Sequence, residues 1–418
     1  MPKARRYIFV PLGSSGDVNP LLWLARLAAE RGHDVVVVSH AAMSDHCAAA
    51  GFRTTAVGTP EELEAIIRDP DIWHPDRAFV ALARQLPLWA RRMVPAICDQ
   101  IVPGNTVIVS GGIAFGARAV AEARRIPLVT VQLQPAVFMG VEDAPVLRVG
   151  LEWVKHMPRW FRALFFRLAQ WRADRLLKRP INDLRADLGL KAPIRGVMRH
   201  WWMSPDRVLA IFPEWFVPRH RDWPPQTVFA RFPLYDLGDA MATPAGLDTF
   251  LGDGEPPVLI TPGSANAQAG RFLEEAALAC GLIGHRTLFV TRYAEQLPAG
   301  MPSRSASFNY APFARVFPRC AAVVHHGGIG TCSQGLAAGV PQLVMPMSHD
   351  QPDNAWRLKH LGVGAYLNPR AFKAKAIARE LDRLMGSAEV ARACRAVKER
   401  IAAQMAPENV AELLEITG

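Results

Sequence analysis

Two short loops in the C-terminal half carry the residue types that hold a phosphate. His326, Gly327, Gly328, Ile329, Gly330 and Thr331 follow one another directly after an apolar run. Three glycines in four residues let a backbone approach an anion closely. Thr331 opens a helical pattern, so free N–H groups and the positive end of a helix dipole would face the same point. His326 and Thr331 add side-chain donors. Thr261, Pro262, Gly263 and Ser264 close another apolar run and offer a further hydroxyl and N–H. Taken alone, such glycines serve equally well in a tight turn. His325 and His326 are neighbours, which on a strand sends their rings to opposite faces, so no metal site is expected. In the N-terminal half, Gly13-Ser14-Ser15-Gly16-Asp17 also closes an apolar run. A carboxylate at a strand tip can take a proton from a bound hydroxyl once partial burial lifts its pKa from about 3.9. An Asp just ahead of a helix is equally a natural N-cap.

These loops need strands to present them, and apolar runs alternate with helical patterns twice along the chain. The first set reads as strands at 7–12, 34–40, 106–110, 127–132 and 208–212, with a helix at 18–31. The second reads as strands at 257–261, 287–291, 321–325 and 342–346. Strands that are apolar throughout and separated by helices belong in a parallel sheet covered on both faces. The expected class is therefore α/β, two doubly wound Rossmann-like domains facing across a cleft. Ligands of such sheets bind beyond the carboxyl ends of the strands, where all three loops lie. Residues 212–236, rich in proline and aromatics, read as an ordered connection and not as an element interior. The expected division is an N-terminal domain 1–230, a linker 231–250, a C-terminal domain 251–395 and a final helix 396–418 that can cross back.

Composition narrows the classes. With 418 residues the chain is too long for one core, and roughly two to three domains are expected. Half the residues are apolar and 21% are charged, an ordinary globular balance. No apolar run approaches the ~18 residues of a membrane span, and the basic start at Met1–Arg6 leads into a strand, not a leader. Six cysteines without a CxxC pair suggest neither zinc nor disulfides, so a reducing cytoplasm is expected. The net charge is +10, and residues 1–230 hold 30 Lys and Arg against 21 Asp and Glu. The excess concentrates in 148–179, which suits nucleic acid, an anionic membrane surface or an acidic substrate. No nucleic-acid motif accompanies it, and no GxGxxG follows the first strand, which argues against a dinucleotide-dependent dehydrogenase.

The run HHGGIGTCSQGLAAGVPQLVMPMSHDQPDNA resembles the donor-binding signature of the nucleotide-sugar-dependent glycosyltransferases of family 1, which have the two-domain GT-B fold. TPGS, NYAPFARVFPRC and GSSGDVNP resemble that family's phosphate-side loop, base-binding segment and acceptor-side turn, so the likeness runs nearly the whole chain. RDPDIWHPDRAF, WMSPDRVLAIFPEWFVPRHRDWP and FPLYD are similar to segments of the bacterial rhamnosyltransferases that make rhamnolipids.

The resemblance implies roles, residue by residue. Gly16, Ser264, His326, Gly328, Gly330 and Thr331 would lie on the donor's diphosphate side, Tyr310 would stack on its base, and the backbone at Ala311 would pair with the base edge. Asp350 and Gln351 would bind the sugar hydroxyls. Gln334 stands where UDP-sugar enzymes often carry Glu for the ribose, a departure that points away from UDP. Asp17 would be the general base. Phe138, Trp160, Phe161 and Phe165 are expected at the acceptor, with the basic-aromatic segment 148–179 read as pocket lining in preference to a membrane-docking helix. The expected reaction is inverting sugar transfer, with dTDP-L-rhamnose as donor and an amphiphilic hydroxy-fatty acid as acceptor. No cofactor beyond the nucleotide sugar and no nucleic-acid partner are expected; a partner subunit or peripheral membrane contact stays open. The alternatives are a UDP- or dTDP-hexose transferase acting on another hydrophobic product, and a catalytically silent nucleotide-sugar-binding subunit.

Overall fold

The computed structural model describes residues 4–237 and 241–416. Three positions of the expected linker, 238–240, and the last two of the final segment lie outside the described residues, as do positions 1–3. Two parallel sheets organise the chain. The first has seven strands: β1 (Arg6–Val10), β2 (Asp34–His40), β3 (Thr54–Val57), β4 (Thr106–Gly111), β5 (Leu128–Gln132), β6 (Arg207–Ala210) and β7 (Thr227–Phe229), in the order β3-β2-β1-β4-β5-β6-β7. The second has six: β8 (Val258–Thr261), β9 (Thr287–Val290), β10 (Ser305–Phe308), β11 (Ala322–His325), β12 (Gln342–Val344) and β13 (Gly364–Tyr366), in the order β10-β9-β8-β11-β12-β13. Val and Ile dominate the central strands, and residues 8–10 and 323–325 are fully buried, as strands covered on both faces must be.

In both sheets the chain reverses its direction of travel at one place, between β1 and β4 and between β8 and β11. Helices on either side diverge there, which opens a crevice at the carboxyl ends of the strands. The helix α1 (Ser15–Glu30) starts straight after β1, α2 (Phe115–Arg124) after β4, and α3 (Arg159–Asp187) crosses after β5. In the second sheet α4 (Ile329–Ala338) follows β11 and α5 (Gln351–His360) follows β12.

Three strands escape the sequence pattern. β3, β10 and β13 are short edge or near-edge strands whose residues alternate or carry Ser and Thr, so they lack a continuous apolar run. β7 is a correction: it lies inside the segment read as a connection, pairing with β6 through Thr227, Val228 and Phe229. Edge position explains how it survives next to Pro224 and Pro225. The helix expected from residue 18 begins at Ser15.

The chain returns to the first sheet at its end. The helix α6 (Pro407–Glu412) packs Val410, Ala411 and Leu414 among Tyr7, Phe9, Trp23 and Val107. The Tyr7 hydroxyl donates to the Leu414 carbonyl at 3.3 Å, and Arg207 donates to the carbonyls of Leu413 and Glu415. This tail clamps the two halves.

Candidate functional site

Asp17 is the third residue of α1, not its N-cap. The cap is Ser14, and the Asp17 carboxylate reaches back to it, with Oδ2 accepting from the Ser14 N–H at 2.8 Å and the Ser14 hydroxyl at 3.0 Å. Both bonds fall on one oxygen, which leaves Oδ1 to a ligand. Gly13 makes this possible: its φ is +126°, and a Cβ there would stand 2.4 Å from Oδ2. The surrounding protein pushes the carboxyl pKa up, against the two Ser14 bonds that hold it down.

The facing wall belongs to the second domain. Asp350 precedes α5, and its Oδ2 accepts from the Asn354 amide at 2.6 Å. Its carboxylate also takes the N–H of Ile329, the first residue of α4. Burial raises the Asp350 pKa to about 7; the Asn354 and backbone bonds oppose the rise, and the charge of Asp17 adds to it. The charge of Asp17, from the first domain, thus adds to the rise at Asp350 in the second. Asn354 also donates to the Gly327 carbonyl at 2.9 Å, which ties α5 to the glycine loop.

His325 and His326 diverge as strand geometry demands. His325 turns into the core, bonded to Gln342 Oε1 at 3.0 Å and to the Gly327 N–H at 3.1 Å. His326 turns towards the loop after β8. A Cβ on Gly263 would stand 2.5 Å from its ring and one on Gly328 would stand 2.6 Å away, so two glycines form its slot. Burial lowers its pKa to about 4, so the ring is neutral at pH 7, and its Nδ1 has no partner among the described residues. Ser264 is exposed beside this slot, and Thr331 and Gln334 are buried on the first turns of α4. With the Ile329 N–H spent on Asp350, the Gly330 and Thr331 N–H groups remain for an anion.

Tyr310 and Ala311 follow β10, three strand positions from β11. At about 4.8 Å per strand this is roughly 14 Å, about the reach from a nucleoside base to its diphosphate. The Tyr310 hydroxyl donates to the Asp236 carbonyl at 3.0 Å, and Ala311 is buried. Gln351 is more structural than its expected role: its side-chain oxygen accepts from the N–H groups of Met347 and Ser348. Gly16 lies in the first turn of α1, exposed to the cleft side of the loop.

The acceptor expectations divide. A cavity of about 510 Å³ lies between α2, α3 and the segment 222–226, lined by Phe138, Met139, Phe166, Met198, Trp202 and Trp223 with Arg118 and Arg167. Phe138 stacks on Trp223, ring centroids 3.9 Å apart. Trp160, Phe161 and Phe165 do not line it: Trp160 is 69% exposed on the outer face of α3, while Phe161 packs against Trp153 and Phe165 against Phe166. One face of a long helix cannot carry every aromatic, and residue spacing on α3 puts Phe166 and not Phe165 inward. Asp17, His326 and Asp350 are not on this cavity; its wall at Phe138 begins from the loop after β5, at the same sheet end as Asp17.

Several residues that shape the site carry no motif of their own. Gln132 ends β5 with its side chain buried against Gly112, and its Nε2 is unpartnered among the described residues. A polar residue closing an otherwise apolar strand is the signal that could have found it. The turn Pro70–Trp73 reaches the second domain, where the Ser348 hydroxyl at 3.4 Å and the His349 ring at 3.0 Å meet the Ile72 carbonyl. Arg357 binds Asp353 within α5 and Asp143 across the cleft, and the Val146 N–H donates to Asp353 at 3.0 Å. Among the described residues no group of three or more His, Cys, Asp or Glu is arranged to hold a metal.

The comparisons with known proteins agree with this geometry. Residues 290–416 match the family described as erythromycin biosynthesis protein CIII-like, C-terminal domain. The O-mycaminosyltylonolide 6-deoxyallosyltransferase of Streptomyces fradiae is 28% identical over 98% of this chain and 97% of its own. The solved glycotransferase of kitacinnamycin superposes with a TM-score of 0.74 at 19% identity, covering 99% of both chains. The spinosyn rhamnosyltransferase complexed with thymidine diphosphate gives 0.67 at 18% identity, covering 98% of this chain and 99% of that one. Two doubly wound sheets, a glycine loop at each switch point and the solved neighbours give the chain the GT-B fold, and the relatives it is similar to are glycosyltransferases.

Proposed function

We propose that the protein transfers a deoxy sugar from a thymidine diphosphate donor, L-rhamnose best fitting the sequence, to the hydroxyl of an amphiphilic acceptor such as a hydroxy-fatty acid. The observation that carries the reading is Asp17 at the tip of β1, its carboxylate held by Ser14 through one oxygen alone. Asp17 Oδ1 accepts the acceptor's hydroxyl proton while that oxygen attacks the anomeric carbon. The bond from that carbon to the diphosphate oxygen breaks, the electron pair leaves with the diphosphate, and the configuration inverts. The Gly330 and Thr331 N–H groups, the α4 dipole and the His326 ring stabilise the leaving charge. Asp350 holds the sugar, and Tyr310 with Ala311 holds the base. The spinosyn rhamnosyltransferase bound to thymidine diphosphate and the Streptomyces 6-deoxyallosyltransferase support a thymidine donor and a deoxy sugar. Gln334 in place of a carboxylate supports a ribose without its 2′-hydroxyl. The cavity beside Phe138, where aromatics and methionines mix with Arg118, Arg167, Gln170 and Asp222, supports an amphiphilic acceptor.

The test is Asp17→Asn. The variant should bind dTDP as the wild type does and lose transfer by about two orders of magnitude or more. Near-wild-type turnover would remove Asp17 as the base, and equal loss of nucleotide binding would make it structural.

A further inference from the structure

The outer face of α3 is apolar where it should be polar. Trp160, Leu164, Leu168 and Trp171 are 69%, 47%, 53% and 54% exposed, and Trp153 adjoins them through Phe161. At 3.6 residues per turn the four fall within an arc of about 80° and a length of about 17 Å. The opposite arc, with Phe166, Ala173, Leu177, Ile181 and Leu184, is the one packed on the protein. The stripe is therefore a second apolar face on a helix that has already satisfied its core.

Its surroundings say what covers it. Arg167 and Arg172 flank the stripe, Arg159 precedes it in the first turn, and Arg175, Lys178 and Arg179 continue its arc, all exposed. Arg175 lies over the Trp171 ring at 5.0 Å. Among the described residues none of these six cations is in an ion pair with an acid, although about half of the other arginines find one. Asp174, the sole acid between 159 and 182, turns its carboxylate to the N–H groups of Val197 and Met198. Exposed tryptophans and leucines bordered by unpaired arginines are the pattern of a helix lying in a lipid interface, rings among the headgroups and cations on anionic phosphates. A protein partner of ordinary chemistry would need acids to meet six cations and would leave the paired Trp rings no aqueous edge.

We propose that the protein docks peripherally on anionic membranes through the α3 face formed by Trp160, Leu164, Leu168 and Trp171 and its flanking arginines. No helix among the described residues is long and apolar enough to cross a membrane, so this is surface attachment. The neighbouring face of the same helix, Ala163, Phe166, Arg167 and Gln170, lines the cavity, so docking sets that cavity's rim at the lipid surface. The proposal rests on no reading of donor or acceptor.

The experiment is flotation of the full chain with phosphatidylcholine vesicles, with and without phosphatidylglycerol, at low and high salt. Binding is expected to the anionic vesicles and to weaken with salt. Leu164→Gln/Leu168→Gln/Trp171→Gln should lower partitioning by at least about ten-fold, and Arg175→Gln/Lys178→Gln/Arg179→Gln by about five-fold per charge. All these side chains are exposed, and an unchanged thermal midpoint verifies folding. No flotation of the wild type with anionic vesicles, or flotation that the apolar triple variant leaves intact, overturns the proposal. So does a wild-type dimer in sedimentation that this variant converts to monomer without any vesicle binding.

Discussion

Asp350→Asn is the substitution that the cleft electrostatics single out. Burial lifts the Asp350 pKa from its ordinary 3.8 to about 7. An acid with a raised folded pKa keeps a proton in the folded protein that the unfolded chain releases. Its contribution therefore declines as pH rises from about 4 to 7, by at most about 1.4 kcal/mol per pH unit. Over about three units the ceiling is roughly 4 kcal/mol, and water reaching a half-buried carboxylate reduces this to ~2 kcal/mol. Asn cannot ionise, yet its amide oxygen can still accept from the Asn354 amide and the Ile329 N–H. The variant should match the wild type within about a degree near pH 4. By pH 8 it should melt about 4–8 °C higher, at 2–4 °C per kcal/mol for domains of this size. Thermal scans of both proteins across pH 4–8 read this directly. Parallel curves would show that Asp350 titrates normally and that the cleft does not desolvate it. Asp17→Asn supplies an internal check, because removing that charge should move the wild-type decline to lower pH.

Gly263→Ala places a methyl against the His326 ring and forces an L residue to φ +89°; the dTDP dissociation constant should rise about ten-fold or more, and an unchanged value would separate His326 from the diphosphate. Saturating dTDP should raise the melting temperature more than dUMP or NAD does, since dUMP lacks the second phosphate and NAD carries its diphosphate esterified at both ends; equal shifts would count against the donor site. Transfer should survive EDTA, because the α4 dipole and neutral donors serve the leaving diphosphate; loss of activity with rescue by magnesium or manganese would overturn that.

Much of the site is written locally. The glycine loop after β11, TPGS after β8 and GSSGD after β1 are each contiguous, and a loop closing an apolar parallel strand must lie at the ligand end of its sheet. That placement needs no knowledge of what the rest of the chain does. The short edge strands β3, β10 and β13 were illegible because three or four half-buried residues make too little pattern, and β7 was hidden by the prolines around it. Which α3 aromatics face inward also depended on packing: Phe166 rather than Phe165 meets the cavity, and Trp160 meets solvent. Long-range relations were decided by the tertiary structure alone. Asp17 and Asp350 are 333 positions apart in the chain, and only the closure of two domains lets one raise the other's pKa. Gly263 owes its role to a ring 63 positions later, since sequence shows that a glycine is present but not which side chain takes the space a Cβ would fill.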